Sequence, residues 1–119
     1  MTEKQFEQRV KAFLKNMDCW TLKTWSNGVQ REGVPDLLVC CSGHFIGVEL
    51  KAENGHPSRL QLWNIKQIRD AGGIGIVLYP DKFEAFKNMI FSLVDGGLFG
   101  FDFYAEYQSS FFDRKGDEV

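Results

Sequence analysis

Asp36, Glu49 and Lys51 are the residues whose types and spacing bring chemistry to this sequence of 119 residues. The stretch from Gly33 to Cys41, the pair Ser42-Gly43, and the stretch from His44 to Lys51 read as two β-strands joined by a tight hairpin. A two-residue loop fixes the register, so Cys41 faces His44 and Asp36 faces Glu49. Facing residues share a side of the sheet and side chains alternate, so Lys51 joins the two acids on that side. Hard divalent cations such as Mg²⁺ and Mn²⁺ prefer carboxylate and carbonyl oxygens. Asp36 and Glu49 are therefore candidate metal ligands, with the backbone carbonyl of Leu50 as a third. Such an ion polarises a phosphoryl oxygen and lowers the pKa of a bound water. The Lys51 ammonium would orient that water or offset charge on a pentacovalent phosphate. Phosphodiester hydrolysis needs all three elements. A plainer reading stands beside this one: Glu49 and Lys51 form an ion pair along a strand face, and Asp36, after Pro35, only caps a turn. A carboxylate-pair hydrolase such as a glycosidase is a third reading, but it leaves Lys51 without a role.

The flanking segments must position these groups. Thr2-x-x-Gln5 has capping-box spacing, and Phe6, Val10, Phe13, Leu14 and Met17 recur at helical intervals. Glu7 lies on the border of that apolar arc. It reads either as a solvated neighbour, which the helix alone favours, or as a carboxylate looking into a site. Cys19 to Trp25 is β-branched and aromatic and reads as a strand ended by Ser26-Asn27-Gly28. Beyond Lys51 a polar loop leads to a second capping box, Ser58-x-x-Gln61. Leu60, Ile65, Ile68 and Ala71 form the expected inward face of its helix. Gln61 projects between Ile68 and Ile65, toward the sheet, where a polar group needs a partner. Gly72-Gly73 stops that helix, and Ile74 to Tyr79 reads as a buried strand reached by a parallel crossover. Asp81-x-x-Glu84 gives a third capping box for a helix through about Leu93.

The length suits one domain, with a core over 1–95, an aromatic-rich arm over 96–112 that packs on the core or on a partner subunit, and a charged mobile tail over 113–119. Hydrophobic and charged fractions of 44% and 25% are those of an ordinary soluble globular protein. No apolar run approaches the roughly 20 residues a membrane span needs. Three cysteines without CxxC spacing read as reduced, mostly buried thiols of an intracellular protein. The net charge of −2 hides an asymmetry, because residues 1–79 carry ten Lys/Arg against eight Asp/Glu. That balance permits a phosphate-bearing substrate without demanding one. Lys23, Arg31, Arg59 and Lys66 are candidate DNA-phosphate contacts, and each also reads as a solvated surface charge, the commoner role. Trp20, Trp25 and Trp63 read as core or interface residues.

Gly33-Val34-Pro35-Asp36, Val48-Glu49-Leu50-Lys51-Ala52, then Pro57-Ser58 and Gln61 together resemble the PD-(D/E)xK nuclease superfamily. More closely they resemble its virus-type replication-repair nuclease branch, VRR-NUC, over about residues 3–80. The resemblance implies an α/β, restriction-endonuclease-like αβββαβ core, a mixed central sheet flanked by helices. It implies a Mg²⁺- or Mn²⁺-dependent DNA endonuclease with Asp36 and Glu49 as metal ligands and Lys51 as the catalytic lysine. Gln61 would correspond to the family's helix glutamine. The family also uses a glutamate from the first helix, for which Glu7 is the choice and Glu3 the reserve. Small members resemble Holliday-junction resolvases, homodimers that act on branched DNA in replication, recombination or repair, here in the cytoplasm of a bacterial or phage-infected cell. A DNA-binding or assembly module that keeps the fold without turnover is the alternative.

Overall fold

The computed structural model describes residues 1–25 and 32–96. The chain runs α1 (Glu3–Asn16), β1 (Trp20–Lys23), β2 (Leu37–Cys41), β3 (His44–Leu50), α2 (Arg59–Asp70), β4 (Ile74–Leu78), a 3₁₀ turn (Pro80–Lys82) and α3 (Phe83–Asp95). The four strands form one mixed sheet in the order β1-β2-β3-β4. The first two pairings are antiparallel, and β3–β4 is parallel with α2 as its crossover. This is the αβββαβ order expected from the sequence. Arg31, the Ser26-Asn27-Gly28 strand end, the aromatic segment Leu98–Phe112 and the tail 113–119 lie outside the described residues.

The hairpin register is the one the two-residue loop dictates. Ser42 and Gly43 both take positive φ, 50° and 83°, and Cys41 pairs with His44 and Leu37 with Val48. Two positive-φ residues in a row match the right-handed twist of the flanking strands, which is why this turn sets a register rather than merely reversing the chain. The ladder ends at Leu37–Val48, one residue short of Asp36 and Glu49.

The sheet has two unlike faces. Leu37, Val39, Ile46, Val48, Leu50, Ile76 and Leu78 point to one side, where Phe6, Val10 and Leu14 of α1 and Phe86, Met89, Ile90 and Leu93 of α3 close the main core. Edge-to-face ring contacts link Phe83 of α3 to Phe6 and Phe13 of α1, at 5.7 and 6.0 Å. The other side is covered by α2, through Leu62 and Ile65 on Val77. Two facing glycines let the helix come this close. A Cβ at Gly75 would stand 2.5 Å from the Ile65 carbonyl oxygen, and one at Gly47 would stand 2.5 Å from Ile68 Cδ1.

Four expectations need correction. The inward face of α2 is built on Leu62, Asn64 and Ile65, whereas Leu60 and Ala71 are exposed. The helix is aimed at the glycine strip of β3 and β4, which rotates its contact face away from the wheel's apolar centroid. Asp81 does not cap α3, because Pro80 opens a 3₁₀ turn that contains it and no side chain caps the helix. Cys40 is exposed on the far side of the strand from buried Cys41, while Cys19 is half-buried. Trp20, Trp25 and Trp63 are exposed rather than part of the core.

Candidate active site

Asp36 stands one residue before β2, and its carboxylate reaches across to β3. Its Oδ2 accepts a hydrogen bond from the Leu50 backbone N–H at 2.8 Å. Thr24, just beyond β1, holds the other side of the same peptide: its N–H donates to the Asp36 carbonyl at 2.9 Å and its hydroxyl to the Pro35 carbonyl at 2.8 Å. Asp36 is thus fixed from both neighbouring strands.

Glu49 lies near the end of the inner strand β3, 2% exposed. Its Oε2 stands 3.4 Å from Lys51 Nζ, whereas Oε1 is buried with no hydrogen-bond partner. A buried carboxylate oxygen without a donor is costly and calls for an occupant. Burial is the main cause that pushes the Glu49 carboxyl up to about 8, the Asp36 charge adds to it, and Lys51 opposes it.

Glu7 approaches from α1, which carries it because the Thr2–Gln5 capping box forms as expected. Its Oε1 pairs with Lys23 Nζ at 2.9 Å, and Lys11 stands 3.9 Å from its other oxygen. Lys23 also reaches Asp36 Oδ1 at 3.7 Å. Burial alone would pull the Lys23 ammonium down, but its hydrogen bond to Glu7 and the charges of Asp36, Glu7 and Glu49 outweigh it, so it titrates above the ordinary lysine range. Glu3 is exposed.

These residues form a line of alternating charge, Glu7, Lys23, Asp36, then Glu49 and Lys51. The alternation breaks once, where Asp36 meets Glu49. Two carboxylates side by side, one with an orphaned oxygen, form a donor set that suits a hard divalent cation. Among the described residues no three His, Cys, Asp or Glu side chains converge into a metal site by themselves. An ion here would take the Asp36–Glu49 pair and complete its shell from backbone or water oxygens, as Mg²⁺ commonly does. The Leu50 backbone, tied to Asp36, is the nearest such donor along the chain.

The other expected residues sit differently. Gln61 is half-buried, but its side-chain oxygen accepts from the Ser58 N–H at 2.8 Å, so the partner it needs is its own helix terminus. Arg59 and Lys66 are exposed on α2 and take no part in the line of ion pairs. An open apolar groove of about 510 Å³ lies between α2 and the hairpin, against Pro35, Leu38, Phe45 and Ile68, beside the charged cluster rather than within it.

Sequence reasoning missed two supports. Asn64 is 2% exposed, and its Nδ2 donates to the Leu60 carbonyl at 3.0 Å and the Glu32 carbonyl at 3.4 Å. Gly33, at φ 79°, lies so close that a Cβ there would stand 2.9 Å from Asn64 Nδ2. This clamp ties the run into Pro35 and Asp36 to α2. Tyr79, at the end of β4, donates its hydroxyl to the Gly55 carbonyl at 2.9 Å and holds the loop that packs on the Lys51 side chain. A helical wheel centred one residue further along would have turned Asn64 inward. Nothing local marks Tyr79.

A solved structure described as a VRR_NUC domain is similar to this chain, with a TM-score of 0.54 and 29% sequence identity, over 66% of this chain and 84% of that one. No family model matches the chain, and no curated protein matches it. The mixed sheet and flanking helices make this a restriction-endonuclease-like α/β protein. Within that class it has the VRR-NUC nuclease fold, in agreement with the resemblance carried by its sequence motifs. A nuclease domain is the reading this fold supports, and nucleases of this superfamily typically use divalent metals. Among the described residues no helix is long and apolar enough to cross a membrane.

Proposed function

We propose that the protein is a metal-dependent DNA endonuclease that hydrolyses phosphodiester bonds, with branched or junction DNA as substrate and a homodimer as the working form. The observation that carries this reading is the break in charge alternation at Asp36 and Glu49, with Glu49 Oε1 left without a donor. A cation is what completes it. Asp36, Glu49 and the Leu50 carbonyl would hold Mg²⁺ or Mn²⁺. When bound, the ion supplies Lewis-acid charge and an acidified water.

The chain's own groups do the rest. Lys51 Nζ, held 3.4 Å from Glu49 and shielded from bulk solvent, keeps a positive charge beside the reacting phosphate and orients the attacking water. As the water oxygen bonds to phosphorus, losing a proton to solvent, and the P–O bond to the leaving sugar breaks, its oxygen taking a proton from solvent, charge builds on the non-bridging oxygens, and this ammonium offsets it. Glu7 bounds the site on the α1 side through Lys23 and Gln61 anchors the start of α2, while Arg59 and Lys66 offer exposed charge for the DNA backbone.

The test is cleavage of labelled four-way junction, flap and linear duplex with Mg²⁺ or Mn²⁺, by wild type, Asp36→Ala and Lys51→Ala. Removing a charged group that acts in the transition state costs on the order of 10²-fold in rate or more. Equal cutting by all three proteins would overturn the assignment. Absence of metal binding at millimolar concentration would favour a DNA-binding or assembly module instead.

A further inference from the structure

We propose that Lys23 is a resident counter-cation of the site, held by Glu7, whose ammonium competes with a divalent ion for the Asp36 carboxylate. The inference rests on the metal-dependent reading and concerns what the site does before the ion arrives.

The geometry is specific. Lys23 Nζ stands 2.9 Å from Glu7 Oε1 and 3.7 Å from Asp36 Oδ1, and all three side chains are at least three-quarters buried or close to it, with exposures of 26%, 16% and 23%. None of the three is free to drift. Lys23 is the last residue of β1, opposite Leu37, Glu7 sits in the second turn of a capped helix, and Asp36 is fixed by Leu50 and Thr24. An ammonium lodged between two acids is poorly disposed to reach out for a DNA phosphate. It is well disposed to neutralise carboxylates that would otherwise repel one another and Glu49. It also lowers the field a divalent ion feels at Asp36, because a like charge within about 4–6 Å disfavours an added cation. Lys51 occupies the opposite flank of Glu49 and is not interchangeable with it.

Two opposed effects follow from removing the Lys23 charge. Without metal, Lys23→Met leaves Glu7 and Asp36 facing each other, and the melting temperature falls. With metal, the same change removes a competitor, and Mn²⁺ binds more tightly, by roughly tenfold for one neighbouring charge. A merely structural lysine would give the same sign in both, with looser folding and weaker binding. Lys23→Arg, which keeps the charge, should stay near wild type in both measurements.

The experiment is calorimetric titration of Mn²⁺ into the full chain without DNA, for wild type, Lys23→Met, Lys23→Arg and Glu49→Ala, with melting curves in chelator. Tighter binding by Lys23→Met together with a lower melting temperature supports the inference. Unchanged or weaker binding by Lys23→Met, while wild type binds and Glu49→Ala does not, overturns it and leaves the metal site intact. Failure of wild type to bind overturns the metal reading itself, and this inference with it. Should Lys23→Met not fold, nuclear magnetic resonance of the wild-type side chain decides: the Lys23 ε signals should shift on saturation with Mg²⁺ while those of exposed Lys15 stay still, and no shift at Lys23 counts against competition.

Discussion

Glu49 of β3 and Lys51, just past the end of that strand, share one ion pair at 3.4 Å that satisfies only half of the Glu49 carboxylate. The other oxygen is buried without a hydrogen-bond partner. A site that holds an acid this way favours the neutral form until a cation arrives. That preference gives the metal-free protein a pH dependence of definite sign.

Burial and Asp36 raise the Glu49 carboxyl from 4.5 to about 8 in the folded chain. The folded state therefore keeps a proton that the unfolded chain has released, so stability falls as pH rises across that window. In chelator, wild type and Glu49→Gln should melt alike near pH 5. By pH 9 the Gln variant should be the more stable, by on the order of a few kcal/mol. Urea melts at both pH values check this, and a wild type that gains stability with rising pH would contradict it. Saturating Mg²⁺ should reverse the order at high pH, because only the carboxylate rewards the ion.

Asn64 holds the Gly33 segment that delivers Asp36. Asn64→Ala leaves the Glu32 carbonyl without its side-chain donor and opens a void on α2. The expected loss is about 1–3 kcal/mol of stability, measured by urea melts.

Gly75 lies against the Ile65 carbonyl, so Gly75→Ala forces α2 off the sheet, since backbone cannot yield as a side chain can. Destabilisation of roughly 1–3 kcal/mol is expected, read as a lowered thermal midpoint. Gly43→Ala tests a different physics, since a Cβ there meets nothing within 4 Å and the cost comes only from φ 83°.

Ser58 and Gln61 close a reciprocal cap at 3.1 and 2.8 Å. Ser58→Ala should cost about 1 kcal/mol in thermal melts. If Gln61 acts mainly through this cap, Gln61→Glu, which can still accept from the Ser58 N–H, should retain the stability that Gln61→Ala loses.

The first two capping boxes, the Ser42-Gly43 turn and the glycine stop after α2 were all legible in the chain, because each depends on contacts between residues close in sequence. The turn carried the most information. Its two positive-φ residues fixed the register from Cys41 on His44 to Leu37 on Val48, which carries Asp36 and Glu49 to neighbouring strand ends.

Tertiary structure decided what lies further apart. Thirteen residues separate β1 from β2, so the lodging of Lys23 between Glu7 and Asp36 had no local signature. The contact face of α2 followed the glycine strip beneath it rather than its own apolar wheel, which turned Asn64 inward and Leu60 out. Local hydrogen bonds and turn dihedrals are encoded residue by residue. The angle at which a helix meets a sheet depends on the surfaces of both, and only the folded chain brings those surfaces together.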